Sequence, residues 1–70
     1  MKVLLQDLGT LSFLAGEDDW TGSIAEAVDF GQVVQALDYA LGHGLQDVRA
    51  VIKCSDSRFD VALPPVHVTA

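Results

Sequence analysis

The chain is short of cysteine, of basic residues and of long apolar runs, and each shortage removes a class of protein. A single cysteine, Cys54, excludes an intrachain disulfide and fits a reducing compartment. Four Lys and Arg against ten Asp and Glu leave a formal charge of −6, which repels nucleic-acid phosphates and anionic membrane surfaces. No nucleic-acid partner is expected. No apolar stretch approaches the ~18 residues a membrane-spanning helix needs. In "MKVLLQDLG", Gln6 and Asp7 break the opening apolar run before a signal-peptide core would be complete. The expectation is a soluble cytoplasmic protein without a membrane partner.

What is present is apolar. Hydrophobic residues make up 50% of the 70 and the mean hydropathy is +0.33, which argues against disorder. A chain of this length buries only ~60% of the surface its unfolded form exposes, so its core is marginal. Association with a second copy is a common supplement in small domains.

The order of elements is read from periodicity. "KVLLQ" alternates loosely, with Val3 and Leu5 on one side and Leu4 on the other, and stops at the turn chemistry of Asp7 and Gly9. "LSFLA" places Leu11, Phe13 and Ala15 on one side with Ser12 and Leu14 on the other, completing a β-hairpin. Glu17, Asp18 and Asp19 form an acidic loop that lacks the alternating oxygen ligands and the glycine of a calcium loop. Trp20 beside it is expected in the core, with a partner anchor as the alternative.

Ser23 and Glu26, three apart in "SIAE", form a capping-box pattern that predicts a helical turn to about Asp29. After Gly31 a main helix runs over "QVVQALDYALGH", with Val33, Val34, Leu37, Ala40 and Leu41 as its apolar stripe. Gly44 suits the left-handed residue that ends a helix, and Leu45 can close back on the last turn. "DVRAVIKC" and "RFDVALP" then alternate as two strands, with Pro64 and Pro65 ending the second. The fold class is therefore α+β in ββαββ order: a mostly antiparallel four-stranded sheet with one main helix on one face. Residues 1–65 form a single domain, and 66–70 read as a loose tail.

The chemistry of the chain is concentrated in "IKCSDSRFD". Its Cys54, Asp56 and Arg58 resemble the C-x-D-x-R signature of beta-class carbonic anhydrases. That resemblance implies a zinc-ligating Cys54, a gating Asp56 and Arg58 as its partner. The same family completes its site with a downstream H-x-x-C, and here His67 is followed by Val68, Thr69 and Ala70. Neither His43 nor His67 has a carboxylate at ligand or dyad spacing, and His43 reads as a partner of the helix C-terminal dipole. No catalytic residue, metal or cofactor is assigned, and "CSDSR" reads as a hairpin turn, since Ser and Asp side chains bond to their own backbone.

A broader frame runs through Trp20, Thr21, Ala27, Phe30, Ala36, Gly44, Leu45, Val48, Val51, Asp60, Leu63 and Pro64. It resembles a group of small bacterial proteins of unassigned function. That resemblance implies the fold and no activity. The reading that follows is a non-catalytic protein-interaction module that forms a homodimer and binds a further protein. Two alternatives stand beside it: a thiol-dependent enzyme or redox sensor using Cys54, and an acidic decoy of a nucleic-acid-binding surface. The expected interaction surface is the sheet face opposite the helix, carrying Leu4, Leu14, Val51 and Ala62, together with Trp20.

Overall fold

The computed structural model describes residues 1–17, 19–55 and 57–65, and the acidic Asp18, the signature residue Asp56 and the tail 66–70 lie outside them. β1 (Lys2–Asp7) and β2 (Phe13–Gly16) form the expected hairpin. Its turn is built on Asp7, whose carboxylate accepts from the Gly9 N–H at 3.0 Å and from the Thr10 hydroxyl at 3.2 Å. Leu11 sits in the left-handed region at φ 61°, a conformation that is costly for a branched residue. The resulting register places Phe13 opposite Gln6.

A third strand, β3 (Asp19–Thr21), pairs with β2 so that Trp20 lies opposite Leu14. The acidic loop therefore ends in a strand rather than continuing as a free loop. α1 (Val33–Gly42) follows, and then β4 (Val48–Lys53) and β5 (Val61–Ala62). The sheet thus has five antiparallel strands among the described residues, in the order β3-β2-β1-β4-β5, where the sequence pattern predicted four. β1, the first strand in sequence, lies at the centre, paired with β4 over six residues from Lys2 opposite Lys53 to Asp7 opposite Val48.

Alternation along the strands fixes what each face carries. Val3, Leu5, Leu14, Val48 and Ala50 are buried under Ala36 and Ala40 of α1, with Trp20, Phe30, Val33, Leu37, Tyr39, Leu45, Ile52 and Leu63 packed around them. The helix meets the sheet through two alanines, which lets its backbone approach closely. The predicted stripe is therefore rotated. Ala40 is 0% exposed, while Val34 and Leu41, expected in the core, are 57% and 53% exposed.

The sheet faces also differ from expectation. Phe13 faces away from the helix with Gln6, and Leu14 faces it. A hairpin register displaced by one residue exchanges the faces in this way.

Helix ends show which local signals act. Gly44 adopts φ +65°, its N–H donates to the Leu41 carbonyl, and the Leu45 N–H donates to the Ala40 carbonyl at 2.9 Å. This is the paired closure of a Schellman ending. His43 is the last cap residue, and its ring stacks on Tyr39 at 3.9 Å.

The Ser23 capping box does not form. Only a single 3₁₀ turn, Ile24–Glu26, follows Ser23, whose side chain makes no capping bond. Thr21 does the work instead: its hydroxyl accepts from the Ser23 N–H at 3.0 Å and donates to Glu26 Oε2 at 3.2 Å. The next segment is tied to the sheet. The Val28 N–H donates to the Leu14 carbonyl and the Phe30 N–H to the Val3 carbonyl. Asp29 Oδ1 accepts from the Val3 N–H at 3.0 Å and the Gly31 N–H at 2.9 Å, and these two backbone bonds hold its carboxyl below the ordinary range.

Candidate functional site

The residues that carry chemistry meet at the β4–β5 corner. The two strands are antiparallel, with Val51 opposite Ala62 and Ile52 opposite Val61, so "CSDSR" is part of a hairpin connection, as its composition implies. The connection is longer than the short turn predicted, because Ser57–Phe59 forms a 3₁₀ turn and β5 begins only at Val61. Phe59 is consequently outside the strand.

Asp60 holds this corner. Its Oδ1 accepts from the Cys54 N–H at 2.7 Å and its Oδ2 from Lys53 Nζ at 3.2 Å. A carboxylate receiving a backbone N–H and an ammonium together makes charge-assisted bonds, the stronger kind. The pattern "RFDVALP" hid this role, since strand alternation made Asp60 an outward-pointing side chain. The signal was the carboxylate seven residues after a lysine across a tight connection. The Cys54 thiol donates to the Phe59 carbonyl at 3.3 Å, and the Arg58 guanidinium lies 5.8 Å from the centre of the Phe59 ring, within cation–π range.

Of the signature residues, Cys54 and Arg58 are thus both engaged within the corner, and Asp56 is outside the described residues, as is His67. Among the described residues no group of three His, Cys, Asp or Glu side chains is placed to hold a metal ion. No described helix is long and apolar enough to cross a membrane.

The predicted interaction surface is distributed differently. Leu4, Leu14 and Val51 are all buried, Leu14 on the helix side and the other two on the opposite face, while Ala62 is exposed and Trp20 is half-buried against the core. By register, Lys2 and Gln6 flank Leu4, and Lys53 and Arg49 flank Val51. Arg49 Nε donates to Gln6 Oε1 at 2.9 Å. That face presents polar ends around an apolar centre rather than a bare apolar sheet.

Exposed apolar side chains gather elsewhere. Phe59 is 64% exposed and Val61 45% exposed, both at the β5 edge. A cavity of about 240 Å³ opens on the neighbouring end of the sheet, lined by Met1, Lys2, Ile24, Lys53, Cys54 and Ser55. No family model, curated protein or solved structure matches the chain.

Proposed function

We propose that the protein is a non-catalytic interaction module that associates with a second copy of itself through the β5 corner. The observation that carries this reading is the exposure of Phe59 and Val61, large apolar side chains two residues apart where the chain enters β5. Aromatic and arginine side chains are the groups that most often anchor protein interfaces, and the Arg58 guanidinium lies over the Phe59 ring.

The two sheet edges are not equivalent. β3 is flanked by Glu17 and begins at Asp19, so like charge repels a second acidic chain there. β5 combines apolar side chains with Lys53 and Arg58 nearby in sequence. Backbone pairing between two β5 strands is limited by their two-residue length and by the prolines that follow, since Pro64 has no N–H to donate. The contact is therefore one of side chains, small in area and weak. A two-fold arrangement lets Phe59 of each copy pack against the same corner of the other.

Light scattering across a concentration series tests this. The parent chain should rise toward twice its 7.5 kDa mass at high concentration, and Phe59→Ser should stay monomeric while keeping the parent's circular dichroism. A parent that remains monomeric throughout, or a Phe59→Ser variant that associates like the parent, rejects the reading.

A further inference from the structure

The cavity at the end of the sheet has a composition unlike the rest of the molecule. In a chain of formal charge −6, two of the four basic residues line it, placed side by side because Lys2 lies opposite Lys53 in the β1–β4 ladder. Like charges directly across a ladder are unfavourable, and the structure relieves only one of them. Lys53 is paired with Asp60 at 3.2 Å. The Lys2 ammonium makes no hydrogen bond or ion pair among the described residues, and feels the Asp29 carboxylate only through a longer-range attraction.

Ser55 also lines the cavity; it is exposed, and its hydroxyl makes no hydrogen bond among the described residues. The Lys2 ammonium and the Ser55 hydroxyl, neither hydrogen-bonded among the described residues, thus share a concave site. The wall beside them is the apolar pair Met1 and Ile24. At about 240 Å³ the space is smaller than the ~300–1,000 Å³ of sites that hold drug-sized ligands.

From this geometry we infer that the cavity is a binding site for a small monoanion with a short apolar body, a short-chain aliphatic carboxylate. The carboxylate takes the Lys2 ammonium and the Ser55 hydroxyl as donors, and its hydrocarbon chain lies on Met1 and Ile24. Free phosphate lacks the apolar body, and an aliphatic ammonium places the wrong charge against Lys2. Cys54 enters only as a reporter, since it is one of the lining residues.

The test is a titration of the isotopically labelled protein at constant ionic strength with hexanoate, hexylammonium and inorganic phosphate, each followed by amide chemical shifts. Hexanoate should saturate with shifts centred on Lys2, Ile24 and Lys53–Ser55, and should slow alkylation of Cys54 by iodoacetamide. Lys2→Met should weaken that binding by roughly five-fold, the value of one partly exposed ion pair, and Ser55→Ala should weaken it less. The monomeric Phe59→Ser variant should bind as the parent does, which separates this site from the association surface. The inference is overturned if hexanoate gives no saturable shifts at these residues. It is overturned equally if hexylammonium or phosphate binds there as tightly, or if both variants, folded by circular dichroism, bind hexanoate like the parent.

Discussion

Asp60 offers the sharpest test of how the β4–β5 corner is held. Replacing it with alanine removes the acceptor for the Cys54 N–H at 2.7 Å and the partner of Lys53 at 3.2 Å. The exchange leaves a half-buried backbone donor without its acceptor, at a cost of about 1–3 kcal/mol. The ion pair adds little, since both side chains are partly open to water and such pairs contribute ~0–1 kcal/mol. A domain of this size has a total stability of roughly 3.5–10 kcal/mol, so Asp60→Ala should remove a substantial fraction of it. With a urea slope of about 1 kcal/mol/M, the unfolding midpoint should fall by roughly 1–3 M. Asp60→Asn keeps a neutral acceptor in the same place and should lose less than half as much. The hydrogen-bond argument fails if the alanine variant unfolds at the parent midpoint, or if asparagine and alanine are equally destabilised.

Ser23→Ala should change stability by less than ~0.5 kcal/mol, as for a surface position without a bond to lose, whereas Thr21→Val should cost about 1 kcal/mol; the reverse order in urea unfolding would restore the capping box. Ala40→Leu should destabilise by ~1–3 kcal/mol through overpacking against the sheet, while Leu41→Gln should stay within ~0.5 kcal/mol of the parent, again read from urea midpoints. Asp29 has its folded pKa lowered first by the Val3 N–H and then by that of Gly31, so the stability it contributes is present above the ordinary carboxylate value of ~3.9 and lost as the pH falls through its lowered pKa. Asp29→Asn should therefore flatten the acid limb of the stability curve, and superimposable limbs for the two proteins would contradict that.

Signals confined to a few consecutive residues were legible in the sequence. Gly44 and Leu45 end the helix where their residue types imply, because a left-handed glycine and the apolar residue after it form a closed local unit. β4 matches its alternating pattern from Val48 to Lys53. What was not legible depended on choices made across the fold. Ser23 and Glu26 have capping-box spacing, yet the chain leaves the helical conformation at Ala27 and Thr21 takes both bonds. β3 was hidden because an acidic loop gives no strand pattern, and it exists through the pairing of Trp20 with Leu14.

The helix stripe was misplaced for a similar reason. Leu41 and Val34 are larger and more apolar than Ala36, but close approach to the sheet selects the smaller side chains. The corner around Asp60 was only half visible. Composition pointed to a turn, but the carboxylate that organises it was assigned to a strand face.

The central position of β1 sets the order in which the molecule can be assembled. Its neighbours are unequal in timing: β2 follows within a few residues, whereas Val3, Leu4 and Leu5 find Ile52, Val51 and Ala50 only after most of the chain has been made. At a synthesis rate of ~5–20 residues per second, the segment waits on the order of several seconds for its main partner. During that interval Leu4 and Leu5, both fully buried in the finished protein, have one hairpin strand for company. Loop-closure entropy must then be met before the ladder gains anything, which makes folding slow for so small a domain. Substitutions in β4 should accordingly alter the refolding rate more than substitutions on the exposed side of α1, at Val34 and Leu41.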